Sequence, residues 1–210
     1  MKKNTLLINS GLIFLLLFCL AFACGDGGDE TGGGDRTDTT SGLPAGKFIA
    51  ACNANDVVPR FLQTGEMIAK TSVATISNAM DVGNPSNFVR ILKLFNGDAN
   101  NLREKMEAVS ISDETTANTM REVYEKCGYI LDPHGAVGFY ALEKYLEQNP
   151  NQKGFFLATA HPVKFDAVTE ILGTSGEVPA AIEDLLVRPK QSTKMKVDYD
   201  DLKDILLGKI

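Results

Sequence analysis

Asn78, Asp81 and Asn84 fall close together in a polar loop with few apolar neighbours. Carboxamides and a carboxylate at the end of a strand could contact a polar ligand. The same residue types also favour turns for backbone reasons, so the loop has two readings of equal standing. The two histidines, His134 and His161, lie far apart, and neither has an evident partner nearby in the sequence. Either could carry a proton, but His134 precedes a helix and His161-Pro162 suits a turn, so structural roles are expected of both. Thr159 ends an apolar run that starts at Gly154. From spacing alone its hydroxyl caps the strand end or the following turn. Cys52 and Cys127 read as small buried residues. With two histidines and no Cys-x-x-Cys, a zinc site lacks ligands.

The elements that would position these residues alternate in type. Lys47 to Cys52 reads as a short buried strand, followed by the polar turn Asn53-Ala-Asn-Asp56. A helix follows from Val57 to Leu62, with Asn55 or Asp56 as its cap and Pro59 tolerable in the first turn. A second is expected from Asn87 to Leu94, where Phe88, Ile91, Leu92 and Phe95 keep helical spacing. Asn101 to Val109 reads as a charged amphipathic helix, and Ser112 opens a longer one over Thr115 to Lys126, closed by Gly128. Tyr129 to Leu131 is a short expected strand, His134 to Gln148 a helix, and Gly154 to Thr159 a strong buried strand. The pairs Phe155-Phe156 and Tyr140/Tyr145 fall on apolar positions and read as core. Short helices close the chain at 164–172, 180–187 and 199–207. Strands alternating with helices define an α/β fold with a parallel sheet flanked by helices, in which ligand-facing residues sit at the carboxyl ends of strands.

Of the 210 residues, 21 are Lys or Arg and 27 Asp or Glu, giving a net charge of -6. That acidic balance argues against a nucleic-acid partner, which would call for a basic face. The chain divides into three pieces. Residues 1–24 combine Lys2 and Lys3 with the apolar run Leu12 to Ala23, about the length of a secretory leader and short for a membrane-spanning helix. Ala21-Phe22-Ala23 ahead of Cys24 resembles a bacterial lipoprotein signal, which implies membrane attachment through a lipidated Cys24. An uncleaved anchor and a reading-frame artefact are the alternatives. Residues 25–42 hold seven glycines and five acidic residues against one arginine, the composition of a flexible disordered tether rather than a phosphate loop. Residues 43–210 hold the folded region.

Four strings within that region narrow the reading. They are Phe48-Ile-Ala-Ala-Cys-Asn-Ala-Asn-Asp-Val-Val-Pro59, Thr75-Ile-Ser-Asn-Ala-Met-Asp-Val-Gly-Asn-Pro-Ser-Asn87, Gly128-Tyr-Ile-Leu-Asp-Pro-His-Gly-Ala-Val137 and Leu157-Ala-Thr-Ala-His-Pro-Val-Lys-Phe165. In this order and spacing they resemble the C-terminal part of threonine synthase, over roughly Ser41 to Ile210. The resemblance implies the tryptophan-synthase-β type of fold, pyridoxal phosphate as cofactor, and a cytoplasmic enzyme. The reaction it implies converts O-phospho-L-homoserine and water to L-threonine and phosphate. It also implies that the Thr159 hydroxyl faces the pyridine nitrogen of the cofactor. The family's Schiff-base lysine and its Ser-Gly-Asn-Phe-Gly-Asn phosphate loop have no counterpart here. The expectation is therefore a partial chain that needs a missing N-terminal half and is inactive alone. The competing expectation is an exported lipoprotein whose α/β domain binds without catalysis.

Overall fold

A computed structural model of the protein describes residues 19–25, 46–189, 191–196 and 198–208. Most of the expected leader and tether lies outside the described residues. The chain forms two compact units, Met1–Gly176 and Glu177–Ile210.

The first unit is built on a four-stranded sheet in the order β3-β2-β1-β4. The strands are β1 (Cys19–Gly25), β2 (Lys47–Cys52), β3 (Met106–Ser110) and β4 (Gln152–Phe156). β2 and β3 are parallel, with Phe48 opposite Met106 and Cys52 opposite Ser110. β1 lies between β2 and β4 and runs antiparallel to both. The expected α/β arrangement is therefore present, with one reversed strand inside an otherwise co-directional sheet. That strand comes from the end of the segment read as a leader.

β2 shows why helices cover both faces. Successive side chains of a strand point to opposite sides. Phe48, Ala50 and Cys52 pack with Val58, Phe61 and Leu62 of α1 (Val57–Thr64), Phe88 and Ile91 of α2 (Phe88–Leu94), and Leu102 of α3 (Ala99–Lys105). Ile49 and Ala51 face the other way, onto Val137, Ala141 and Leu142 of α5 (Pro133–Gln148). A third cluster joins Met120 and Val123 of α4 (Asp113–Cys127) to Leu131, Ala136 and Val168 of α6 (Asp166–Leu172). Burial of a strand on both faces explains its unbroken apolar run.

Helix ends follow local chemistry. The Ser112 side chain accepts from the Thr115 N–H to start α4, and Gly128 ends it at φ 65°, in the left-handed region open to glycine. Asp132 caps α5 and Pro133 occupies its first turn, where no N–H is needed.

Three expected elements differ. The helix expected over 101–109 stops at Lys105, because Met106 turns extended and pairs with Phe48. Tyr129 to Leu131 is not a strand; Leu131 is buried by helix packing instead of a ladder. β4 ends at Phe156, which leaves Leu157, Ala158 and Thr159 beyond it.

The second unit contains α7 (Ala180–Leu186) and α8 (Tyr199–Leu206). Asp198 caps α8, accepting from the N–H groups of Asp200 and Asp201 at 2.9 and 3.1 Å. No helix among the described residues is long and apolar enough to cross a membrane.

Candidate functional site

A cavity of about 290 Å³ opens at the carboxyl end of β2. Its base is the turn that begins at Asn53. One wall comes from the segment between α1 and α2, through Ser77, Met80, Val82 and Asn87. The opposite wall is the first turns of α5, through His134 and Val137. Its position at a strand end is where open α/β sheets hold ligands.

A hydrogen-bonded hub holds the first wall in place. Asn53 is buried, and its Nδ2 donates to Asp81 Oδ1 at 3.0 Å, Thr75 Oγ1 at 2.9 Å and Ser77 Oγ at 3.1 Å. Asn53 Oδ1 accepts from the backbone N–H and the side-chain amide of Asn55. Asp81 also accepts from Thr75 Oγ1 at 2.7 Å, Thr75 N–H at 3.0 Å and Asn55 Nδ2 at 3.1 Å. A buried carboxamide and a half-buried carboxylate are tolerated here because they are so fully bonded. Asp81 is therefore committed to the wall itself. Asn78 and Asn84 are exposed and absent from the lining. Of the two open readings of this loop, the structure favours backbone and wall organisation.

The same turn supplies a second tie. Asp56 accepts from Lys70 Nζ at 2.6 Å and from Arg60 Nε at 2.9 Å. The Lys70 hydrogen bond is the main cause that holds the Asp56 carboxyl below its ordinary value; partial burial opposes it, and Arg60 adds to the lowering. The Lys70 backbone N–H donates to Gly83 O at 2.8 Å. A Cβ at Gly83 would sit 2.0 Å from Lys70 O, so the two backbone stretches pass at a separation only glycine permits.

On the far wall, Asp132 Oδ1 accepts from the backbone N–H of His134 at 2.9 Å and meets His134 Nδ1 at 2.8 Å. Both residues are buried, and the ring of Phe165 lies 4.7 Å from the imidazole, centroid to centroid. The structural role expected of His134 thus comes with a partner that sequence reasoning overlooked. Asp-Pro-His at a helix start was the available signal, since a capping aspartate at that spacing reaches both the amide and the ring. His161 is outside the cavity lining, and its Nδ1 accepts from the Val163 N–H at 3.3 Å, a local turn.

Thr159 is exposed in the loop after β4 and does not line the cavity. Cys52 is buried and lines the cavity, whereas Cys127 is exposed, against expectation. Phe155 is also exposed and only Phe156 packs inward, because side chains at the end of β4 alternate between faces. Among the described residues, no three His, Cys, Asp or Glu converge as a metal site would require.

Comparison with known proteins places this geometry in a family. Residues 19–158 match the model for pyridoxal-phosphate dependent enzymes, and the chain belongs to that family. Residues 135–206 match the model for the threonine synthase C-terminal region, and the resemblance within the family is to threonine synthases. The threonine synthase of Serratia marcescens is 42% identical over 185 residues, which cover 88% of this chain and 42% of that protein. The crystal structure of threonine synthase from Escherichia coli superposes with a TM-score of 0.69 at 41% identity, covering 80% of this chain and 39% of that one. The structure of PLP-bound threonine synthase from Brucella melitensis gives a TM-score of 0.63 at 28% identity, covering 79% and 40%. The chain spans about two fifths of the length of the curated relatives it matches.

Proposed function

We propose that the chain provides the C-terminal part of a threonine synthase site, which converts O-phospho-L-homoserine and water to L-threonine and phosphate, and that it does not turn over by itself. The observation that carries this reading is convergence. Three of the four strings that resemble the family contribute to the lining of one cavity: Cys52, Asn53, Val57 and Val58 are among those from the first, Ser77, Met80, Val82 and Asn87 among those from the second, and His134 with Val137 come from the third.

The fit to pyridoxal phosphate is partial. Val57, Val58, Met80, Val82 and Val137 offer apolar walls for an aromatic ring, and Asn87 offers a carboxamide. No lysine lines the cavity among the described residues, so these residues supply walls and not the covalent anchor. When bound, the cofactor supplies an electron sink. Thr159 stays the proposed partner of its ring nitrogen, on the strength of the resemblance alone.

What this chain's own residues contribute is organisation. The mostly apolar lining offers water few hydrogen-bond partners. The hub around Asp81 fixes the wall that carries Asn87. Asp132 holds His134 in one orientation through Nδ1.

The test is phosphate release from O-phospho-L-homoserine with added pyridoxal phosphate. It compares the chain alone with the chain produced together with the N-terminal part of the Escherichia coli enzyme. Release only in the combined sample supports the reading. Turnover by the chain alone at the rate of an intact relative, or none in either sample, defeats it.

A second reading rests on the apolar run followed by Cys24: a lipoprotein with a non-catalytic binding domain. Cleavage before Cys24 would remove most of β1, so this reading and the four-stranded sheet exclude each other. Cell fractionation with a Cys24→Ala control distinguishes them; membrane association lost in the control supports lipidation.

A further inference from the structure

Three of the four strands run the same way. β2 and β3 are parallel, and β1 is antiparallel to both β2 and β4, so β2 and β4 are co-directional on either side of a reversed strand. Residues 26–46 join β1 to β2. Antiparallel neighbours connect through about two to five residues, and parallel ones through roughly a dozen or more, usually as a helix. The connection thus has the length of a parallel crossover, yet residues 26–42 carry no aliphatic or aromatic side chain to pack a helix on the sheet. The register places both Phe48 and Phe155 opposite Phe22, so Phe48 and Phe155 share one face. Phe48 is 7% exposed beneath α1–α3 and Phe155 is 42% exposed, so the cover on that face runs out before β4. On the other face, Ile49 and Ala51 of β2 and Phe156 of β4 all pack against α5.

We propose that β2 and β4 form an acceptor slot for a strand of the N-terminal part of a threonine synthase, which takes the place of β1 by strand exchange. The proposal rests on the reading of this chain as the C-terminal part of such an enzyme, whose relatives are more than twice as long as the part matched here. The donor strand runs parallel to β2 and β4. In an unbroken chain it would step to β2 in the direction in which β2 steps to β3. The right-handed rule then puts the helix that follows it on the face of α1–α3, the face on which Phe155 stands exposed. The slot is prepared for exchange because α5 bridges it: with β1 gone, β2 and β4 stay packed on one helix. The incoming strand restores two ladders at once, and its helix adds apolar cover that β1 and its connection do not supply.

The test mixes the full chain with the N-terminal part of the Escherichia coli threonine synthase and follows backbone amide exchange by mass spectrometry. In the chain alone, residues 19–25, 47–52 and 152–156 are all protected by their ladders. In the mixture 47–52 and 152–156 keep their protection, while 19–25 exchange about tenfold faster or more. Ala21→Pro removes a ladder donor from β1 alone, so β1 competes less and association tightens about tenfold. Phe155→Asp weakens association by about tenfold or more, since the incoming helix would bury a charge. A β1 that stays protected in the complex, an Ala21→Pro chain that associates no better than the native one, or no association at all overturns the proposal. Should Ala21→Pro not fold, the exchange pattern of the native chain decides alone. Loss of β1 protection without phosphate release leaves the docking standing and removes the assigned reaction; release with β1 still protected does the reverse.

Discussion

Asn53 Nδ2 donates to Asp81 Oδ1 at 3.0 Å, which ties the carboxyl end of β2 to a loop 28 residues further along the chain. Removing the carboxylate strips acceptors from Thr75, Asn55 and Asn53 together. Asp81→Ala should therefore cost about 2–3 kcal/mol, more than one neutral hydrogen bond is worth. In urea unfolding the midpoint falls while the slope stays the same. A midpoint equal to that of the native chain would show that the hub adds nothing to stability.

The Asp56–Lys70 contact makes a pH-dependent prediction. The Asp56 carboxyl is held below its ordinary value of 3.8, chiefly by the Lys70 hydrogen bond. A group lowered on folding contributes stability above its unfolded pKa, and that contribution is lost as the pH falls through the folded one. Lys70→Met should be less stable than the native chain near neutral pH. The gap should close as the pH drops below 3.8. Thermal melts of both proteins across this range give the difference directly, and a gap that does not change with pH contradicts the assignment.

Gly83→Ala should loosen the wall of the cavity. Its Cβ would meet Lys70 O at 2.0 Å and Ser72 N at 2.8 Å, both backbone atoms that cannot rotate away. Overpacking of this kind costs about 1–3 kcal/mol, and here the nearest relief is to displace the loop. Limited proteolysis should then cut between α1 and α2 faster than in the native chain, with the helices themselves cut at unchanged rates.

At the start of α5, Asp132→Ala and Asp132→Asn should differ. Alanine loses the cap and the His134 contact together, for about 1–2 kcal/mol from the cap alone. Asparagine keeps an oxygen acceptor at the same place and should retain most of the native melting temperature. Equal losses in both variants would mean that the charge of Asp132, not its hydrogen bonds, supports the helix.

Much of the framework could be read from the sequence because local signals agreed with the packing. The run from Lys47 to Cys52 and the helix opening at Ser112 sit where the residue types place them, whereas the cap of α5 is Asp132 and not His134. β3 was hidden because Met106 to Ser110 follows a charged helix without a break in composition. Its strand character comes from pairing with β2, a partner more than fifty residues away. The fate of Asp81 was hidden for the same reason. Its oxygens are occupied by Asn53 and Asn55, which come from a turn distant in sequence and leave no local signal. Asn87 read as an ordinary helix start, and only its failure to cap set it apart.

The segment between α1 and α2 owes its order to side-chain acceptors. The amide of Val73 donates to Asn55 Oδ1 at 2.8 Å, that of Thr75 to Asp81 Oδ2 at 3.0 Å, and that of Ile76 to the Asp113 carboxylate at 3.3 Å. These three protons belong to no ladder or helix, so their exchange with deuterated solvent reports how often the wall swings open and not how often the sheet unfolds. Their protection should therefore fall below that of β2 and rise together when a ligand fills the cavity, which gives a direct clock for its opening.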